Sequence, residues 1–331
     1  MATERAPRRA LDRRTLRAVA VAALALVLAA CMHPPETALR IGTNVWIGSE
    51  PLYLARSLGR LDPSAVQLVE YPSASEVLRA FRNQAIDGMV ISLDEPFGLA
   101  ADGLTPRVVL VVDVSNGADV VVGRNGMHSM QDLKGRSVAV ESGALGAFVL
   151  SRALALSSMQ PTDVHVVHLE SNEQPSAYEK GRIDGAVTFD PYRAQLLGAG
   201  AVTLFDSTRI PGEIVDLVAV RANVLDLQPN AVQALLNGWF DALDYIRRQP
   251  DDAAHRMGVR QQTTGEQFLA AQTRLHVPSR DENLRMLAGS APTLAVTGRR
   301  LMGLMVDAKL LRKSFPIEEL LAPGPLQQLK R

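Results

Sequence analysis

Apolar residues come in short runs of strand period separated by amphipathic segments of helical period, and the pattern occurs twice. Runs at 39–43, 66–71 and 85–92 recur about 97 residues later at 137–141, 164–169 and 182–189. Between the first set, 49–58 and 75–83 read as helices, the latter with Val77, Leu78 and Phe81 on one face. Each copy therefore predicts a β-α-β-α-β unit. In both, the third strand runs into acid and proline, Asp94-Glu95-Pro96 and Asp190-Pro191. Such a unit needs helices on both faces of its sheet, so two units imply two similar α/β lobes. Open α/β sheets bind ligands beyond the carboxyl ends of their strands, and two facing lobes make a cleft between two such edges.

A long apolar stretch at 108–122, broken at 113–119, predicts a crossover from one sheet to the next, and 213–220 predicts the return. Two crossovers make a hinge. Beyond them the pattern is helical. Pro229 is placed as a first-turn proline, and Val232, Leu235, Leu236, Trp239, Phe240, Leu243 and Ile246 form an apolar stripe that stops before Pro250. Thr263 with Glu266 predicts a capping box, and 294–311 a further helix.

The amino terminus changes the picture of where the chain works. Six arginines precede an uncharged run at 18–30, too short to span a bilayer but suited to a signal-peptide core. That run ends at Cys31, the only cysteine, in Leu28-Ala29-Ala30-Cys31, which looks like a bacterial lipobox. The expected layout is a signal peptide at 1–30, a lipidated tether at 31–38, a first lobe from 39–112 and 213–331, and a second from 113–212. The location that follows is the periplasm or cell surface, anchored to the membrane through lipid alone. The whole chain is neutral, and the leader carries six arginines against Glu4 and Asp12, which leaves the mature chain at −4. No basic patch points to nucleic acid. One cysteine permits no internal disulfide.

These residues resemble a known family. The lipobox, the opening Leu39-Arg40-Ile41-Gly42-Thr43-Asn44-Val45-Trp46-Ile47-Gly48, the Pro51-Leu52-Tyr53-Leu54-Ala55 segment, the Asp132-Leu133-Lys134-Gly135 turn and the Asp184-Gly185 strand together look like solute-binding proteins of ABC importers, in the nitrate, sulfonate, taurine and thiamine-pyrimidine-precursor branch. The resemblance implies a type II like periplasmic binding protein, with a mixed sheet flanked by helices in each lobe. It also implies a monomer that closes over a small-molecule solute and serves an ABC permease and ATPase.

Candidate solute contacts lie in the carboxyl-end loops: Asn44, Trp46 and Gly48; Ser92, Asp94 and Glu95; Glu141, Ser142 and Gly143; Asp190 and Tyr192. The crossover adds Asp113, Ser115 and Asn116. Asp94 and Asp190 also suit helix capping, and Trp46 also suits lobe packing. Glu141 has no evident capping duty, and charges are rarely buried without a partner, which favours the pocket. Sulfonate-binding relatives offer hydroxyls and amides at the glycine loop, whereas Glu141 there would repel an oxyanion. An amine, amidine, amino-heterocycle or zwitterion fits better. The same fold is used by thiamine-pyrimidine synthases and a chorismate-dehydrating enzyme. The synthases need a cysteine-rich segment and histidines, and here the sole cysteine is spent on lipid; a third reading is a receptor for a membrane signalling protein. His165 and His168, three apart on a strand, point to opposite faces, so no metal, cofactor or catalytic set is expected.

Overall fold

The computed structural model describes residues 37–141 and 143–329; the predicted signal peptide, Cys31 and most of the tether lie outside these residues, as does Ser142. From Ala38 the chain forms one compact unit. Its first part runs β1 (Leu39–Asn44), α1 (Glu50–Ser57), β2 (Val66–Tyr71), α2 (Ala74–Arg82), β3 (Gly88–Ser92), α3 (Asp94–Ala101) and β4 (Arg107–Ser115). The second is β5 (Val120–Gly123), β6 (Ser137–Val140), α4 (Ala144–Leu156), β7 (His165–His168), α5 (Gln174–Glu179), β8 (Gly185–Thr188), α6 (Tyr192–Gly198) and β9 (Val202–Asp206). The chain then returns through β10 (Val215–Val220), α7 (Val224–Leu227), α8 (Pro229–Arg248), α9 (Pro250–Arg260), α10 (Gly265–Gln272), β11 (Leu275–His276), α11 (Arg280–Leu287), α12 (Thr293–Asp307) and α13 (Gly324–Gln327).

Two sheets result, ordered β11-β4-β10-β3-β1-β2 and β7-β6-β8-β5-β9. The internal repeat is visible as geometry. β1 pairs parallel with β2 and β3, and β6 pairs parallel with β7 and β8. In each sheet the third strand of the repeat has an antiparallel neighbour that follows a crossover, β10 against β3 and β5 against β8. Gly185 shows how tight the second pairing is: a Cβ there would lie 2.6 Å from the Val122 carbonyl oxygen. Strands buried on both faces explain the continuous apolar runs at 108–112 and 217–220.

The segment 113–119 differs from its reading as an irregular crossover. Asp113 and Ser115 belong to β4, with Asp113 paired to Asp216, and only 116–119 links the sheets. Two polar side chains do not end a strand that a long antiparallel partner holds. The crossovers are bonded to each other, with the Ser115 and Ser207 hydroxyls 2.7 Å apart and Gly117 N donating to Ser207 Oγ at 2.6 Å. Glu213, buried on the return, accepts from Arg152 of α4 at 2.7 Å and from Arg300 of α12 at 2.9 Å.

Downstream, the stripe predicted on α8 is buried at Val232, Leu235, Leu236 and Trp239. The capping box lies one residue later than expected, at Thr264 and Gln267, where the two side chains satisfy each other's backbone N–H. Among the described residues no helix is long and apolar enough to cross a membrane.

Candidate solute-binding site

A partly enclosed cavity of about 50 Å³ lies where the carboxyl ends of the two repeats meet. The repeat itself creates the position: β1 and β3 from one sheet, β6 and β8 from the other, end at its walls. Of the candidate contacts, Asn44, Trp46, Ser92, Glu95, Glu141 and Gly143 line it. The other walls are Ala74, Val90, Ile91, Leu145, Gly146, Val187 and Phe189, with Asp119, Ser171 and Asp216 as further polar groups.

Trp46 meets Phe189 edge to face, with ring centroids 5.3 Å apart, and its Nε1 donates to Asp113 Oδ2 at 3.2 Å. It therefore packs between lobes and lines the cavity at once. Gly48 is not a contact. A Cβ there would collide with Asp113 Oδ2 and Trp46 Nε1, so this glycine makes room for that hydrogen bond. Asp113 and Ser115 sit behind the wall, and Asn116 turns its N–H to the Arg274 carbonyl. Asp190 also leaves the cavity, facing Arg274 Nη1 at 3.5 Å, while Tyr192 stays out of the lining and packs against Phe189 with ring centroids 5.9 Å apart. Asp94 opens α3 and accepts from Ser92 Oγ at 2.5 Å, which places it outside the lining as well.

Glu141 overturns the expectation that it has no capping duty. It caps a helix of the other lobe. Its Oε1 accepts from Ser75 N at 2.9 Å and Ser75 Oγ at 3.1 Å, at the first turn of α2, and its Oε2 accepts from Ser171 Oγ. Glu170 accepts from the same Ser75 hydroxyl at 2.9 Å. The sequence places Glu141 and Ser75 on different lobes, and only lobe packing joins them. Glu95 makes the reciprocal approach: a Cβ on Gly143, which precedes α4, would lie 2.7 Å from Glu95 Oε1.

Asp119, Asp216 and Phe189 were missed by sequence reasoning. Asp216 carried a usable signal, a single acid inside the apolar strand Val215–Val220. Phe189 directly precedes the predicted Asp190, one step along the same strand end. Asp119 lies within the recognised crossover.

Electrostatically the site is one-sided. Among the described residues no lysine, arginine or histidine lines the cavity, while Glu95, Asp119, Glu141 and Asp216 do. Burial pushes Asp113 up to about 7 and Asp119 up to about 6. Burial also holds Glu95 well above the usual carboxylate range, with Asp94 and Glu141 adding to it, and Asp216 likewise, with Asp113 adding. The unfolded chain releases these protons near pH ~4, so between about 4 and 7 the folded protein holds more protons than the unfolded one. Ligand-free stability should consequently fall as pH rises across that window. The urea midpoint is expected to be lower at about pH 7.5 than at about pH 5; a rise would show that the buried acids are stabilised as anions. Among the described residues no group of His, Cys, Asp and Glu is placed to hold a metal ion.

A family model for the NMT1-like family matches residues 32–259. The chain belongs to the NMT1-like family. Within reach of it, an Escherichia coli K12 protein described as aliphatic sulfonates-binding is 30% identical over 181 residues, covering 53% of this chain and 56% of that relative. The match thus spans little more than half of that relative's length. A Bacillus subtilis 168 protein of the same description is 24% identical, over 67% of this chain and 69% of its own. The E. coli taurine-binding periplasmic protein is 25% identical over 55% and 58%. Among solved structures, the E. coli periplasmic aliphatic sulphonate binding protein superposes with a TM-score of 0.69 at 21% identity, covering 88% of this chain and 99% of that one. A Staphylococcus aureus ligand-binding component of an ABC-type import system gives 0.74 at 14%, covering 89% and 99%. A desulfurization enzyme gives 0.64 at 15%, over 88% and 98%, so this fold is not confined to binding proteins. These structural likenesses establish the periplasmic binding protein fold.

Proposed function

We propose that this NMT1-like protein is the extracytoplasmic solute-binding component of an ABC importer, closing two lobes over a small nitrogen-containing or zwitterionic solute and delivering it to a permease. The observation that carries the reading is the cavity at the meeting of two strand-end edges, walled by residues of both lobes. Relatives described as sulfonate- and taurine-binding support capture rather than catalysis. We read the lobes as 39–115 with 215–329, and 120–206, joined by the two bonded crossovers. The lipid anchor at Cys31, the periplasmic location and the monomeric state belong to the same reading.

Closure about two linking segments predicts a measurable change in shape. A bound solute should shrink the radius of gyration in small-angle scattering and raise the thermal midpoint, since a ligand at 100 times its dissociation constant adds about 2.7 kcal/mol. A solute that raises the midpoint while leaving the scattering profile unchanged would count against the clamp.

A further inference from the structure

We infer that the cavity takes a small organic monocation, its N–H groups received by Asp119 with Glu95 and its carbon skeleton set against Trp46 and Phe189, and that it has no seat for an oxyanion. The inference rests on the solute-capture reading and narrows it, because it excludes the zwitterion.

Three observations carry it. Asp119 is 3% exposed, lines the cavity, and its Oδ2 has no hydrogen-bond partner in the structure. A buried carboxylate oxygen left open costs free energy until a donor reaches it. The second observation is that among the described residues no basic side chain joins the lining, where four acids converge. The third concerns the helix N-termini. A sulfonate or carboxylate would be received at the start of α2 or α4, where backbone N–H groups point into the cleft. The protein's own acids already stand there, Glu141 on Ser75 of α2 and Glu95 beside Gly143 before α4. An incoming anion must displace one carboxylate and meet the others in a site with little water to screen them. An ammonium or amidinium instead gains charge-assisted hydrogen bonds, and aromatic rings suit its apolar part.

The charged groups that bear on the titration of Asp119 are Asp94 from α3, Asp113 and Asp216 from β4 and β10, and Asp190, which Arg193 and Arg274 partly offset; Glu95 and Glu141 stand in the same lining. Protons must leave this cluster for a cation to enter it. Cation affinity should rise with pH and anion affinity should fall.

The test is calorimetry on the mature chain from Thr37 with ethylammonium, acetamidinium, benzylammonium, taurine and ethanesulfonate. A three-atom ligand is limited to a dissociation constant on the order of 1 mM, so probes run to about 10 mM. At least one cation is expected to bind, tighter at about pH 8 than at about pH 5, with taurine and ethanesulfonate silent. Asp119→Asn should weaken that cation about tenfold or more while keeping the parent's unfolding midpoint or raising it. Glu95→Gln is the second variant, with the same expected direction. Binding of taurine or ethanesulfonate as tight as the best cation overturns the inference and leaves solute capture standing, as does full cation affinity in both variants. Silence from every probe overturns the inference and leaves solute capture to the scattering and thermal-midpoint test.

Discussion

Arg260→Ala should lower the unfolding free energy by about 3–5 kcal/mol, the usual cost of stranding a buried charge. Its partner Glu50 is fully buried at the start of α1 and accepts from Arg260 Nε at 2.8 and 2.9 Å. The guanidinium also reaches Glu70 and lies 3.4 Å from the Tyr53 ring centroid. Gln261 Nε2 donates to Glu50 at 2.5 Å, but it is neutral and cannot replace the cation. Burial raises the Glu50 pKa even with Arg260 present. Without the arginine it will be raised further, so the carboxyl can escape its charge by taking up a proton. The deficit should therefore be largest near pH ~8 and shrink toward pH ~5. Urea unfolding of parent and variant at both pH values measures it. A deficit below about 1 kcal/mol at both would place this pair with ordinary surface ion pairs. The contact matters to the site because it fastens α9, which follows the second crossover, to the helix directly after the Trp46 loop.

Glu141→Ala should weaken capture of the best-binding cation on the order of ten- to a hundredfold, the cost of losing charge-assisted bonds of about 1.5–3 kcal/mol. The loss has two sources, and they are separable. Glu141 lines the cavity, and it also ties the second lobe to Ser75 at the first turn of α2. Ser75 does not line the cavity. If the tie holds the closed form, Ser75→Ala should weaken binding by a smaller factor, and the double variant should lose less than the sum of the two in free energy. Scattering on the ligand-free Glu141→Ala variant should show a larger radius of gyration than the parent. Strict additivity with unchanged scattering would leave Glu141 as a wall residue only.

Much of this was written in local pattern. The repeat is legible because strand and helix periods differ and because buried strands must be apolar, and the two copies fold with the same β2-β1-β3 and β7-β6-β8 order. Asn44, Trp46, Ser92, Glu95, Glu141 and Gly143 could be selected because strand ends in such sheets point to the ligand edge. The same rule overreached at Gly48, Asp94, Asp190 and Tyr192. A strand end marks a neighbourhood about one side chain deep, and which atoms face inward depends on rotamers and on what packs behind.

The sequence by itself determined two α/β units, their joining by two crossovers, an apolar helical return and an acidic character at the strand ends, all of which follow from period and from residue type within a few positions of each other. Only the tertiary structure decided that Glu141 belongs to Ser75, that Asp216 comes from a strand about 100 residues further along the chain to stand opposite Asp113 across a ladder, and that Asp119 is left with an open oxygen. Those facts depend on contacts between residues distant in the chain, and the energy of a buried charge is set by whatever is packed against it, which no local pattern encodes.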